Sequence, residues 1–179
     1  MVGVLEELND EESAAYQALM RVVFALPRAI TADITPACGV GLSDYMALDL
    51  LSRAPGRQLR MTELAAACGV SLSGISRIMS RLDREGLTRR EGSPEDGRGT
   101  FAVLTDAGQA SRDQTYPLHL ATVRRYLFEY LGACDLDRFT AVMESIADAL
   151  LAGGAARSDR RGRPAPAEAA LIEEISVRP

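Results

Sequence analysis

Serine and arginine recur through Ser71-Leu-Ser-Gly-Ile-Ser-Arg-Ile-Met-Ser-Arg81, then again at Arg89-Arg90 and Asp96-Gly97-Arg98. A guanidinium carries a fixed fork of N–H donors that meets guanine O6/N7 or two phosphate oxygens at once, and a hydroxyl can donate to either. Ser73, Gly74, Ser76, Arg77, Ser80 and Arg81 fall on the face left over when Ile75, Ile78 and Leu82 turn inward, with Ser71 just ahead of them as a further DNA-binding candidate, and Gly74 leaves room for a close backbone approach. Arg98 stands beside Gly97 and Gly99, where little bulk obstructs insertion into a narrow minor groove. Asp96, two residues earlier, projects to the same side of an extended chain and steadies a guanidinium. Arg89 and Arg90 are placed to touch phosphates or anchor the segment that carries Arg98. The chemistry is recognition of a charged backbone and of base edges, not bond making.

The elements that position these groups are legible around them. Met61-Thr-Glu-Leu-Ala-Ala-Ala-Cys-Gly-Val70 and the segment after it read as two short crossing helices, with Leu64, Cys68, Val70, Ile75 and Ile78 as apolar contacts and the small Ala65 at the approach. Gly69 supplies a turn through positive φ. Thr62 is placed to cap the first helix, and Ser71 or Ser73 the second. Gly86 ends the second helix. The turn-rich Gly92-Ser-Pro-Glu-Asp-Gly-Arg-Gly99 then separates two β-prone runs, the later being Thr100–Leu104. The expected fold is mainly α with a small β-hairpin wing: a winged helix-turn-helix, with Thr105 capping the following helix.

Charge distribution supports the same surface. The chain of 179 residues carries a net charge of −5, which by itself argues against a nucleic-acid partner. Between Arg53 and Arg98, however, nine arginines face six acids, a local +3 that leaves −8 on the rest. A basic module on an acidic frame binds phosphate locally and discourages adhesion elsewhere. All 20 basic residues are arginine, so a lysine-dependent phosphate loop or Schiff base has no residue to use. One histidine does not support a Ser-His-Asp triad or a multi-histidine metal site, and three scattered cysteines make neither a disulfide framework nor a zinc set. No enzyme, cofactor or metal is expected. The acidic N-terminus lacks a secretory pattern, and no apolar run is long enough for a membrane, so the cytoplasm is the expected location.

Four segments are expected. Residues 1–35 hold an N-terminal dimerisation helix, from Glu11 to about Ala32, kinked at Pro27. Residues 36–105 hold the DNA module, preceded by a helix from Leu42 to Arg53 with Ser43 as cap and Tyr45, Met46, Leu48, Leu50 and Leu51 inward. Residues 106–152 hold C-terminal dimerisation helices, Asp106 to about Leu131, interrupted near Pro117, and Leu136 to Leu151. Residues 153–179 are Gly/Ala/Arg/Pro-rich and read as a mostly disordered tail. The end helices have apolar faces with no sheet to cover them, which a second copy would cover by two-fold symmetry.

From roughly residue 10 to 150 the chain resembles the MarR transcriptional regulators. The likeness is carried by Leu87 with Arg89-Arg90, by Asp96-Gly97-Arg98 at the wing tip, and by Leu104-Thr105-Asp106-Ala107-Gly108 closing it. It implies a homodimer on double-stranded, pseudopalindromic promoter DNA, acting as a repressor and released by a small phenolic or other effector. It also implies an effector pocket between the dimerisation helices and the DNA lobe, for which Pro36, Tyr45, Met46 and His119 are candidates by expected position. Two alternatives stand beside this reading. One is a nucleoid-type architectural DNA-binding protein. The other is a cysteine-based redox sensor, for which Cys38, expected in a loop after Pro36, is the fairest candidate, with Cys68 in the helix-turn-helix core and Cys134 between helices.

Overall fold

The computed structural model describes residues 7–92 and 99–159. Helix α1 (Asp10–Cys38) opens on a reciprocal cap, the Asn9 and Glu12 backbone N–H groups each donating to the other residue's side chain at 2.9 Å. It closes where Gly39 turns to φ 75° and donates its N–H to the Thr35 carbonyl. The helix thus runs past the end expected at Ala32 and contains both Pro27 and Pro36 without a break, so Cys38 is its last residue, not part of a loop. Each proline deletes one N–H and leaves one carbonyl over. Both lie on exposed stretches of the helix, where water can serve that carbonyl.

Helix α2 (Leu42–Arg53) is capped through Asp44 instead of Ser43: the Gly41 N–H donates to Asp44 Oδ2 at 3.3 Å. A 3-10 turn at Pro55–Arg57 leads into strand β1 (Gln58–Arg60), then α3 (Met61–Ala67), α4 (Leu72–Arg84), β2 (Thr88–Gly92) and β3 (Thr100–Leu104). The hairpin of β2 and β3 is the expected wing, paired from Thr88↔Leu104 to Gly92↔Thr100. Strand β1 was not foreseen. It pairs antiparallel on the other side of β3, giving a sheet of order β1-β3-β2.

Helix α5 (Asp106–Val123) passes Pro117 unbroken, contrary to the expected interruption there. The departure from α geometry comes later, as a π-helical stretch at Arg124–Phe128, before the single turn α6 (Glu129–Leu131) and helix α7 (Leu136–Asp159). Helix α7 therefore extends beyond residue 152, where the tail was expected to begin. Residues 160–179 lie outside the described residues. No helix among the described residues is long and apolar enough to cross a membrane.

Two apolar clusters hold the chain together. The larger joins Leu48 and Leu51 of α2 to Leu64, Ile75, Met79 and Leu82 of the crossing helices and to Ala102 and Leu104 of β3. The smaller gathers Ile30 and Ile34 of α1 around Tyr45 of α2, with Leu118, Val123 and Tyr126 packed against them. Met46 and Val70 are exceptions to the inward set expected of them, being 40% and 37% exposed. Beyond these clusters the end helices present apolar side chains to solvent: Tyr16, Leu19 and Phe24 on α1, and Phe139, Val142 and Ile146 on α7.

Candidate nucleic-acid interface

Helices α3 and α4 are joined by a turn whose geometry follows from three residues. Gly69 adopts φ 65°. The Val70 N–H donates to the Ala65 carbonyl at 3.0 Å. Ser71 caps α4, its hydroxyl accepting the Gly74 N–H at 3.1 Å and lying 3.0 Å from the Ser73 hydroxyl. At the start of α3 the cap is not Thr62: the Arg60 N–H donates to Glu63 at 2.9 Å. Gly74 has little spare room on its own side, since a Cβ there would stand 3.3 Å from the Val70 Cβ. Its smallness first serves the turn into the helix.

Ile75, Ile78, Met79 and Leu82 turn into the core, which leaves Ser73, Arg77, Ser80 and Arg84 as an exposed stripe along α4. Arg77 makes no hydrogen bond or ion pair with any described residue, whereas Arg81, Arg84, Arg89 and Arg90 are engaged. The Arg84 Nε donates to the Ser80 carbonyl at 3.1 Å, and Arg89 pairs with Glu91 at 2.7 Å on the open strand. Arg84 was not among the residues expected to face DNA. Its spacing of seven from Arg77, two helical turns, is the signal that placed it on the same stripe.

Arg81 and Arg90 are placed differently from Arg77. The Arg81 Nε reaches both carboxylate oxygens of the buried Asp44, at 3.1 and 3.0 Å, and its Nη2 bonds the same group. This attachment raises the affinity of Arg81 for its proton. Arg90 reaches from β2 to α4, with Nε on Asp83 at 2.9 Å and Nη2 on the Ser80 hydroxyl at 2.8 Å and the Ser76 carbonyl at 3.1 Å. Ser76, half-buried, is thus part of the join between helix and wing. Asp96 and Arg98 lie outside the described residues, between the strands that end at Gly92 and begin at Thr100.

The effector candidates divide. The rings of Tyr45 and His119 are stacked at 4.4 Å between centroids, tilted by 37°. The His119 Nδ1 is buried with no hydrogen-bond partner among the described residues. Burial lowers the pKa of His119, with Asp49 acting in opposition, and burial, aided by Asp49, pushes the Tyr45 phenol up to about 12. Pro36 and Met46 are exposed and stand outside the apolar cluster that Tyr45 forms. An open groove on α1, lined by residues including Tyr16, Phe24 and Arg28, contains none of the four. Cys68 is mostly buried, which drives its thiol up to about 11, away from redox reactivity. No cluster of three or more potential metal ligands occurs among the described residues.

A family model described as the MarR family matches residues 38–99, which run from the end of α1 to the residue before β3. An HTH-type transcriptional repressor of Mycobacterium tuberculosis is 31% identical over 103 residues, covering 58% of this chain and 71% of the relative. Among solved structures, AbsC, a MarR family transcriptional regulator from Streptomyces coelicolor, superimposes with a TM-score of 0.76 at 33% identity, over 83% of this chain and 99% of that one. Sco3205, another such regulator from the same organism and solved in complex with DNA, gives a TM-score of 0.78 at 30% identity, over 83% and 92% of the two chains.

Proposed function

Because this chain belongs to the MarR family of transcriptional regulators, whose winged helix-turn-helix binds DNA, we propose that it acts in the cytoplasm as a homodimeric repressor on a pseudopalindromic operator. The observation that carries the reading is Arg77: an exposed arginine on the outer stripe of α4, with no partner among the described residues, in a helix otherwise tied down by its own polar side chains. A guanidinium so placed is available to a guanine edge or a phosphate. Ser73 lies one turn before it and Arg84 two turns after it. The wing strands would carry Arg98, with Asp96 beside it, to the adjoining minor groove.

The apolar side chains exposed on α1 and α7 support the dimer, since a second copy covers both faces at once. Two-fold symmetry then sets half-sites about 10 bp apart. An effector fits this scheme at the Tyr45–His119 stack, which joins α2 to α5 and offers a buried ring nitrogen without a partner among the described residues. Such a ligand would act by moving α5 against α2.

The test is binding of the purified protein to its own promoter region and to scrambled DNA of equal length, at two salt concentrations. The expected result is tight, salt-dependent binding with strong preference for one pseudopalindrome. Equal, weak binding to both duplexes would overturn the reading in favour of an architectural role. Release of the bound operator by an aromatic acid would establish the effector arm separately.

A further inference from the structure

The module's positive charge is not all available to DNA, because two carboxylates hold two of its arginines. Asp44, on the first turn of α2, is buried and satisfied by Arg81 of α4 and by the Gly41 N–H. The next residue, Leu42, donates its N–H to the Thr31 hydroxyl of α1 at 3.3 Å, so α4 is tied through this turn to the helix expected at the dimer interface. On the opposite side Asp83, near the end of α4, takes Arg90 on one oxygen at 2.9 Å and the Thr88 hydroxyl on the other at 2.6 Å. Arg90 continues to Ser80 and Ser76, so a single guanidinium spans two turns of the helix from the first strand of the wing.

A bidentate guanidinium–carboxylate pair fixes direction as well as distance, because both partners are planar and the N–H fork is rigid. Helix α4 is held through a guanidinium on each flank: on one, Arg81 forms such a bidentate pair with Asp44 of α2, and on the other, Arg90 of the wing joins one oxygen of Asp83 and continues to Ser80 and Ser76. We propose that Asp44 and Asp83 are positioning residues for DNA reading: through Arg81 and Arg90 they set the angle of α4 between α2 and the wing, and these two arginines orient the helix instead of neutralising phosphates. This inference rests on the DNA-binding function proposed above and assigns its discrimination to a pair of acids that never touch the duplex.

The experiment compares the wild-type full chain with Asp44→Asn, Asp83→Asn, Arg81→Met and Arg90→Met. Each is tested against operator and scrambled duplex over a series of salt concentrations, with Tm measured in parallel. Wild-type preference for the operator is established first, and its absence would defeat the functional reading itself before any variant is compared. Given that preference, the acid and arginine variants are expected to share one phenotype. Operator affinity falls about tenfold, scrambled-DNA affinity is held, and the salt slope is unchanged. A slope lower by about one in Arg81→Met and Arg90→Met, with discrimination retained in the Asp→Asn variants, would make the arginines phosphate contacts and overturn the proposal. Equal loss of both affinities in step with a fall in Tm would reduce the acids to fold stabilisers and overturn it as well. Asp83 and Arg81 have partly exposed side chains, so their variants keep the test decisive should Asp44→Asn fail to fold.

Discussion

Gly108, in the first turn of α5, lies so close to Leu87 that a Cβ on it would stand 2.0 Å from the Leu87 carbonyl oxygen and 2.7 Å from Leu104 Cδ1. That carbonyl is also engaged: it accepts the Thr105 N–H at 3.1 Å and the Thr105 hydroxyl at 2.9 Å. The same hydroxyl oxygen accepts the Gly108 N–H at 3.0 Å, capping α5. The start of α5 is thereby pinned onto the turn between α4 and the wing.

Gly108→Ala is therefore expected to be severe. The obstruction is backbone, which cannot swing aside as a side chain does, so the cost should be about 3 kcal/mol or more. For a chain of this size that corresponds to a fall in Tm of roughly 6–12 °C. Differential scanning calorimetry would measure it, and a variant melting within about 2 °C of wild type would contradict the close approach.

Arg77→Ala should do the opposite: leave Tm unchanged while weakening operator binding. Arg77 has no partner among the described residues, so nothing in them loosens when it goes. A lost bidentate contact corresponds to about 1–3 kcal/mol, and a lost phosphate contact to about one unit of salt slope. Fluorescence anisotropy across a salt series separates the two. Wild-type affinity and slope in the variant would remove Arg77 from the interface.

His119 sets an acid limit on stability. Its ordinary pKa is 6.5, and burial lowers it in the native state, so between the two values the unfolded chain holds a proton that the folded chain does not. Whatever the neutral ring contributes is complete above pH 6.5 and is lost as pH falls below that value toward the native one. On going from about pH 7.5 to about pH 5.5, wild type should lose more Tm than His119→Gln. Parallel curves for the two proteins would mean that the ring is protonated without cost.

Cys68 should be inert in the folded protein. With its thiol at about 11, the thiolate is a minute fraction at neutral pH. Brief native exposure to N-ethylmaleimide followed by mass spectrometry should find Cys68 unmodified, and unfolding should make it react. Rapid native labelling at Cys68 would reopen a redox role in the helix-turn-helix core.

How far the sequence discloses this arrangement depends on the range of the interaction. Ser71, Gly69, Gly86 and Thr105 behave as expected because caps and left-handed turns are decided within four or five residues. Strand β1 was hidden because three residues, Gln58–Arg60, are too few to show alternation, and only pairing with β3 forty residues later makes them a strand. The extent of α1 was misjudged because Pro27 and Pro36 are read as breakers, although an exposed helix tolerates them. Arg77 and Arg81 look equivalent in the sequence, four residues apart on one helix. What separates them is Asp44, 37 positions before Arg81, and no local pattern announces such a partner. Asp96 and Arg98 lie outside the described residues.

The sheet order has a consequence for how such a protein diversifies. Because Gln58↔Val103 and Leu59↔Ala102 are ladder neighbours, the chain enters and leaves the DNA module at one spot, about 5 Å across. Everything between those positions is a closed excursion. A different reader spliced in there would have to match that strand-to-strand spacing and also meet α2 at Leu48, Leu51 and Asp44 and the start of α5 at the Leu87 carbonyl. The excursion closes in the sheet but not in the core, so change in the module and change in the helices that flank it meet at those few contacts.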